Sequence, residues 1–501
     1  MNLSNKKIIL YELKLENFLD TNNSGFGDFK GVELKLDYFK QLGINVVAFD
    51  DILNQYQNEF NLDSIKNKYG SIKDFARIVK KFKENEIKIA PIIDLKNIKQ
   101  SFINWNNMMS LYDLNKKQTN KYLTKLDPYL INKSITNTTL YELTDFIKYF
   151  EKVLDFYLKL NISTIILDNF EFLAFDSLRD EDKLKFITDL YKIIKREKPE
   201  MNVILKSHNN NLGLYKKMLS LENKCLDYLY LTWISTIGNN DFLKKNKKNY
   251  LNFNLVFKFL SAFKDDSNVI ISFGSDLSGR IISKWGNEKA YFTESVKSFM
   301  MLLYSGNNSI GIYYGDEIGC LRAKFNWKFD FNNENYNEEK RFYQSKNVSL
   351  EKYFTYNCYF NKWSSYIQMP WNSNKIFNQN NRNIFFPINF EHNNVESQTK
   401  NNDSAINFVY FLNKLVFNSD FSLFFKNKNT VLENNKGIFK IKHTINQQKI
   451  IFLINLTNNH RKIIPYNNFS ILTSSYANKF YSEIPKELGP FESLILYKQK
   501  H

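Results

Sequence analysis

Eight short runs of β-branched and aromatic residues alternate with longer segments of helical periodicity, which predicts a (β/α)8 TIM barrel. The chain has 501 residues, enough for such a barrel and an appended module. No glycine-rich phosphate turn follows any of the runs, as the competing doubly wound sheet would require. The predicted strands cover residues 7–15, 44–50, 88–94, 163–168, 202–207, 229–234, 268–274 and 309–315.

Amphipathic segments lie between the predicted strands. Their apolar residues recur at intervals of three or four, so that one face of each helix can pack against the barrel. The clearest are VELKLDYFKQLG, SIKDFARIVKKFKENE, TLYELTDFIKYFEKVLDFYLKLN and EKAYFTESVKSFMMLLYSG.

Two connections are longer than the others, and long loops at the C-terminal face of a barrel often build the walls of an active site. One follows the third strand and has little periodicity, and the other follows the eighth strand and is rich in Asn and aromatic residues. From about residue 425, short alternating strands (GIFKIKHTI, KIIFLINLT and ESLILYK) predict a small β-sandwich. The predicted domains are a barrel over 1–94 and 138–420, a reduced insertion over 95–137, and a C-terminal β-sandwich over 421–501.

Composition favours a globular protein without a nucleic-acid partner. The chain is 43% hydrophobic and 16% aromatic, and its net charge is +17. Only eight of the 69 basic residues are arginine, and the lysines are spread along the whole chain. A phosphate-binding surface would favour arginine and would cluster its charge.

The cysteines and the apolar runs predict a cytoplasmic location. Cys225, Cys320 and Cys358 are far apart and lack metal-ligand spacing, which favours buried thiols in a reducing compartment. Charges interrupt every apolar run near the N-terminus, so no secretory signal is predicted. No apolar run reaches the length of about 18 residues that a membrane-spanning helix needs.

Several stretches, in order along nearly the whole chain, resemble one family. They are DTNNSGFGDFKGVELKLDYFKQLGINVVAF, YGSIKDFARIVKKFKENEIKIAPIIDL, GRIISKWGNE, YYGDEIG, YIQMPWNSN, NVESQTKNNDSAINFVYFLNKL and LGPFESLIL. They resemble glycoside hydrolase family 13, the α-amylase family, and within it the oligo-1,6-glucosidase and trehalose-6-phosphate hydrolase group. The resemblance implies retaining hydrolysis of an α-glucoside or another small saccharide. In that reaction one carboxylate attacks the anomeric carbon and a second carboxyl group protonates the leaving oxygen.

Asp168, at the end of the fourth predicted strand, falls on the family's nucleophile. The family has an arginine two residues earlier, where this chain has Ile166. A carboxylate beside aliphatic side chains and without a cation should be a poorer nucleophile. Asp168 equally fits an aspartate that caps the turn after the strand.

The family's proton-donating glutamate has no counterpart after the fifth predicted strand. The resemblance places His208, or else Ser207, at that position, and no Asp or Glu occurs from Met201 to Leu221. Loss of a general acid typically lowers the rate by about 10²–10⁴-fold. His208 is therefore either an unusual donor or an ordinary loop histidine.

The third carboxylate of the family corresponds to Asp276, which fits a turn residue equally well. Ser275 stands where the family has histidine, and Arg280 follows with one residue more than the usual spacing. We assign Arg280 to substrate binding by this resemblance.

The resemblance also assigns Asp94, Lys99 and Phe60 to substrate binding. Asp94 is retained, but Ile98 and Lys99 replace the family's Asn and His, and Phe60 is the nearest aromatic candidate after the second strand. A phosphorylated sugar, bound by Lys99 or by Lys206 at the mouth of the site, is a further alternative.

Relatives bind calcium in the loop that corresponds to DTNNSGFGD. The resemblance assigns Asp20, Asn22, Asp28 and the Phe26 carbonyl as ligands, and oxygen ligands suit this hard cation. Ser24 replaces one carboxylate of the pattern. A polar glycine turn without an ion is the alternative.

Two functions can be specified, and a different reaction on a sugar at a rebuilt site stays open beside them. The first is a degenerate family member that is impaired or inactive as an enzyme and keeps its barrel to bind a saccharide or a protein partner. The second is an active α-glucosidase with an atypical donor such as His208, Glu171 or Glu317. The loss of several residues that act as a unit favours the first.

Overall fold

The computed structural model contains a closed barrel of eight parallel strands, which confirms the predicted fold class. The order around the barrel is β1-β10-β9-β8-β7-β6-β5-β2. The barrel strands are β1 (Ile9–Leu13), β2 (Val46–Phe49), β5 (Lys88–Asp94), β6 (Thr164–Asp168), β7 (Asn202–Ser207), β8 (Tyr228–Leu231), β9 (Val269–Ile271) and β10 (Ser309–Tyr313); β3 (Leu53–Tyr56) and β4 (Glu59–Ile65) form a separate hairpin. The structure describes residues 7–50, 52–56, 59–96, 140–170, 180–220, 222, 224–238, 251–323, 345, 347, 349, 358–360, 362–374, 385–417, 419–426, 428–476 and 483–498.

The barrel strands are apolar because parallel strands are covered on both faces. Every residue of β6 and β7 is buried. The register pairs Ile92 with Ile166 and Asp94 with Asp168 between β5 and β6. Between β6 and β7, Ile166 pairs with Ile204.

The helices follow the predicted segments with one difference near the N-terminus. VELKLDYFKQLG was predicted as one helix, but the backbone leaves the helical conformation at Lys35 (φ −99°, ψ 16°), which separates two short helices. Ser71 begins the next helix with a capping box to Asp74. Within the described ranges the helices are Phe29–Leu34, Leu36–Gln41, Ile72–Glu84, Leu140–Lys159, Asp180–Glu197, Leu212–Leu219, Phe253–Phe263, Ile281–Trp285, Phe292–Tyr304, Val395–Thr399 and Ala405–Phe417.

The segment between β2 and β5 forms the antiparallel β3–β4 hairpin, which was not predicted. Most of the insertion predicted over 95–137, from residue 97 onward, lies outside the described residues. Its boundaries therefore stay a prediction.

The C-terminal module is an antiparallel sheet pair, which confirms the predicted sandwich. A five-stranded sheet has the order β11-β12-β13-β17-β15, and β14 pairs with β16 in a second sheet. Ile451, Leu453, Leu488, Leu494 and Leu496 form an apolar cluster in this module. The strands are β11 (Val431–Asn435), β12 (Ile438–Ile445), β13 (Gln448–Asn455), β14 (Arg461–Lys462), β15 (Ser470–Ser474), β16 (Glu487–Leu488) and β17 (Ser493–Lys498).

The chain divides into two compact units. Unit 1 contains residues 28–33 and 46–230, and unit 2 contains residues 5–27, 34–45 and 231–501. Among the described residues, no helix is both long and apolar enough to cross a bilayer.

Candidate functional site

Asp168 ends β6 in unit 1 and is surrounded by hydrogen-bond donors. Its Oδ2 atom lies 3.2 Å from Lys206 Nζ, and its Oδ1 atom lies 3.1 Å from His208 Nε2. Oδ1 also accepts a hydrogen bond of 2.7 Å from the N–H of Asn169. Asp168 therefore caps the turn after its strand and also forms part of a charged cluster.

Strand register explains why these side chains meet. Because Ile166 pairs with Ile204, continuing the register by two residues brings Lys206 beside Asp168 on the same face of the sheet. Ser207 points to the opposite face, where its Oγ lies 2.5 Å from Tyr215 Oη. Of the two residues considered for the donor position, His208 is thus the one that faces Asp168.

The expectation that Asp168 lacks a cation is wrong, because Lys206 supplies one from the neighbouring strand. Lys206 is only 1% exposed, and its ammonium group lies 5.9 Å from the centre of the Tyr230 ring. It is therefore a buried partner of Asp168, and it does not stand at the mouth of the site as a phosphate ligand would require.

The contact between His208 and Asp168 is shorter than the separation of the two carboxyl groups in the retaining reaction. That reaction needs the nucleophile and the acid about 5–5.5 Å apart, with the glycosidic bond between them. Here His208 contacts one oxygen of Asp168, and Lys206 contacts the other. Both oxygens of Asp168 therefore already have a side-chain partner.

The other predicted substrate ligands of unit 1 are described only in part. Asp94 is the register neighbour of Asp168 and accepts a hydrogen bond of 2.9 Å from the N–H of Lys96. Lys99 and the side chain of Phe60 lie outside the described residues. Their substrate-binding roles stay predictions.

In unit 2, Asp276 also has a lysine partner. Lys14 Nζ lies 3.2 Å from Asp276 Oδ2 and 5.3 Å from the centre of the Tyr366 ring. Ser275, which replaces the family's histidine, shares a hydrogen bond of 2.7 Å with Ser235. Sequence reasoning missed Lys14, since nothing in the sequence around it indicates a partner 262 residues away.

Arg280 does not fit its predicted role in substrate binding, because its guanidinium group is 1% exposed and is held inside the protein. It donates to the carbonyls of Tyr314 (2.5 Å) and Ser365 (2.8 Å) and to Asp316 Oδ1 (3.4 Å). Burial raises the pKa of Asp316 to about 7 in spite of this guanidinium. Arg280 therefore stabilises the interior of unit 2.

The predicted calcium loop is closed by its own backbone. Asp20 Oδ1 accepts hydrogen bonds from the N–H groups of Asn22 and Ser24, and Oδ2 accepts one from Gly25. Asn22 Oδ1 accepts a hydrogen bond from Ser24 N–H, and the Phe26 carbonyl accepts one from Ser24 Oγ. Calcium needs six to eight oxygens directed at one point, so these residues fit a polar turn better than a calcium site.

Asp28, the remaining predicted ligand, caps the helix that follows it. Its Oδ1 atom accepts a hydrogen bond of 2.7 Å from Gly31 N–H. A calcium ion in this loop stays a prediction.

The fold and the charged strand ends define the class of protein. Ionisable residues at the C-terminal ends of parallel barrel strands are the usual arrangement of TIM-barrel enzymes. Residues 15–164 and 231–419 match the family model for the α-amylase catalytic domain. The chain therefore belongs to the α-amylase family, glycoside hydrolase family 13, a family of carbohydrate hydrolases. The matched ranges leave out residues 165–230, which contain Asp168, Lys206 and His208.

Relatives and solved structures agree with this assignment. An oligo-1,6-glucosidase of Bacillus cereus is 21% identical over 560 residues, covering 98% of this chain and 97% of the relative. A trehalose-6-phosphate hydrolase of Bacillus subtilis is 22% identical over 377 residues, covering 64% and 66%. The structure of the trehalose-6-phosphate hydrolase of Bacillus licheniformis has a TM-score of 0.78 at 15% identity, covering 98% of this chain and 99% of that chain. Isomaltulose synthase of Klebsiella sp. LX3 has a TM-score of 0.79 at 14% identity, covering 98% of each chain.

Proposed function

We propose that this chain is a degenerate α-amylase-family protein that has lost most or all α-glucoside hydrolysis and keeps its barrel to bind a small saccharide. The observation that carries the proposal is the occupation of both Asp168 oxygens by Lys206 and His208. The names of the relatives, oligo-1,6-glucosidase and trehalose-6-phosphate hydrolase, suggest short α-glucosides as the ligand class.

The missing acid supports the same conclusion. β7 ends in Lys206 and Ser207, and His208 follows, so this strand end carries no carboxyl group. A general acid must give its proton to the leaving oxygen. His208 Nε2 is directed at Asp168, so protonating a leaving group would require His208 to turn away from its partner.

An active α-glucosidase is the second candidate, and Lys206 is the observation that favours it. A cation 3.2 Å from Asp168 favours the ionised carboxylate that a nucleophile requires. In this alternative, His208 or a glutamate from another strand end would act as the donor.

A turnover assay separates the two candidates. Purified protein is incubated with p-nitrophenyl α-glucoside, isomaltose, sucrose and trehalose 6-phosphate, beside an Asp168→Asn variant as the matched control. We expect no release of glucose or nitrophenol above the rate of the variant. Turnover that Asp168→Asn abolishes would establish the active glucosidase and end the degenerate-site proposal.

Calorimetry with the same sugars then tests the binding role. Heat of binding without turnover supports a saccharide-binding barrel, whereas the absence of both favours a protein partner. We propose a cytoplasmic location for this function, because the three cysteines are free thiols, as expected in a reducing compartment.

A further inference from the structure

We propose that Lys206 forms a Schiff base with the carbonyl group of an open-chain sugar or of another small hydroxycarbonyl compound. The inference goes beyond the loss of glucoside hydrolysis and assigns a different reactive atom, Lys206 Nζ. It rests on the position of this amine, on the acid–base pair beside it and on the chemistry of the anomeric carbon.

Lys206 lies where barrel proteins bind and convert small molecules. It is the penultimate residue of β7, at the C-terminal end of a parallel barrel strand. Its side chain is 1% exposed, whereas those of Asp168 and His208 are each 8% exposed, so solvent reaches the cluster. A lysine removed from water in this way is the type used for carbonyl chemistry.

The anomeric carbon links this amine to the family's sugar chemistry. The retaining reaction brings that carbon to an oxygen of the nucleophilic aspartate. Lys206 Nζ stands 3.2 Å from Asp168 Oδ2, so a carbon brought to that oxygen would also lie close to the amine. In a free reducing sugar the same carbon becomes a carbonyl carbon when the ring opens, and a carbonyl carbon is the atom that an amine attacks.

The neighbouring groups can carry the protons of the reaction. The Lys206 ammonium first passes one proton to the Asp168 carboxylate. The neutral Nζ then forms a bond to the carbonyl carbon, and the carbonyl oxygen takes a proton from Asp168 to give a carbinolamine. The nitrogen of the carbinolamine then gives its second proton to His208. The C–O bond breaks as the oxygen takes that proton from His208 and leaves as water. The net reaction joins one ammonium and one carbonyl into one protonated imine and one water.

A protonated imine makes the adjacent C–H bond acidic. His208 Nε2 lies 3.1 Å from Asp168 Oδ1, and its ring can accept that proton once it turns from this contact. The cluster therefore combines an amine with an acid–base pair. Exchange of this proton with solvent is therefore a second measurement, and a lysine that is merely accessible would not produce it.

Lys284 in unit 2 provides a matched control for burial. It is also 1% exposed, but it donates to the Ser235 carbonyl and to Ser278 Oγ, which is 2.6 Å away. Lys192, on the helix Asp180–Glu197, is an exposed control within unit 1. Lys284 shows the reactivity of a buried lysine, and Lys192 shows that of an exposed one. A result specific to Lys206 can therefore be assigned to the Asp168–His208 pair beside it.

Reductive trapping tests the proposal on the unmodified full chain. The protein is incubated near neutral pH with dihydroxyacetone or glycolaldehyde and sodium cyanoborohydride, and the labelled lysines are mapped by peptide mass spectrometry. We expect the reduced adduct at Lys206 to form faster than at Lys192, with none at Lys284. Labelling of Lys192 without labelling of Lys206, or equal labelling of both, overturns the proposal.

Exchange of the α-proton supplies the second measurement. Dihydroxyacetone in D2O is followed by proton NMR with the wild type and with Lys206→Arg and His208→Gln. We expect exchange above the buffer rate, lost in Lys206→Arg and slowed in His208→Gln. Wild-type exchange at the buffer rate, or exchange that Lys206→Arg leaves unchanged, overturns the proposal. Neither result depends on glucoside turnover, so this inference and the proposed function fail separately.

Discussion

Replacing Lys206 by methionine is expected to destabilise unit 1 by about 3 kcal/mol. The variant keeps most of the aliphatic stem but leaves Asp168 buried without its cation. At the observed 3.2 Å and an effective dielectric constant of about 20, the lost Coulomb attraction is about 5 kcal/mol. Removing one partner of a buried pair typically costs about 3–5 kcal/mol. We expect the lower end, because His208 still contacts Asp168.

Hydrogen exchange in peptides that cover β6 and β7 measures this loss locally, which suits a long chain whose unfolding need not be a single two-state step. The exposed pair Asp155–Lys159 is the control, with its atoms 2.6 Å apart and its side chains 57% and 74% exposed. Lys159→Met should cost only about 0.3–0.5 kcal/mol. The double variant Lys206→Met/Asp168→Asn removes both charges and should recover part of the loss.

Two outcomes would refute this reasoning. If Lys206→Met lowers the free energy of unfolding no more than Lys159→Met does, the Lys206–Asp168 pair contributes no more to stability than an exposed ion pair. If the double variant is destabilised by the sum of the two single changes, Lys206 and Asp168 are not coupled.

Three further predictions concern the donor position, pH and calcium. His208→Glu should leave p-nitrophenyl α-glucoside turnover at background, because Lys206 still occupies Asp168; a rise in rate would mean that only the acid is missing. Burial lowers the pKa of His443 from 6.5 to about 4. Protonation therefore favours the unfolded chain, and the free energy of unfolding should fall by about 3 kcal/mol as the pH drops from 6.5 to about 4. His443→Gln, which can still donate to the Ser305 carbonyl, should flatten this part of the pH profile in urea unfolding, and an unchanged profile would contradict the assignment. Calcium, compared with EDTA, should not shift the thermal midpoint, since the Asp20 loop is closed by backbone N–H groups; a stabilising shift would support the predicted ion.

The strands could be predicted because their residues are local signals. In TIILD, a β-branched and apolar run stops at a carboxylate, and β6 begins at Thr164 and ends at Asp168. A hairpin whose turn lacks glycine has no comparable local sequence signal. The β3–β4 hairpin joins Tyr56 to Glu59 without an Asn-Gly or Asp-Gly turn, and it was missed.

The candidate site was predictable only as far as each residue could be placed on its own strand. The sequence places Asp168 at a strand end, but its partners depend on the pairing of β6 with β7. The same limit applies to Lys14 and Asp276, which are 262 positions apart. Arg280 was misassigned because its spacing after Asp276 does not reveal that its guanidinium group is buried against Asp316.

The position of the cation decides what Asp168 can do. A basic residue at position 166 would lie roughly 6–7 Å before Asp168 along the same strand, so it would support the carboxylate from the barrel interior. Lys206 instead lies beside Asp168 and contacts Oδ2 directly. Its charge compensates for the absence of a basic residue at Ile166, and its side chain is more buried than that of Asp168. Lys206 therefore supplies the electrostatic partner of Asp168 from the neighbouring strand, and the double variant Lys206→Met/Asp168→Asn measures how strongly the two groups depend on each other.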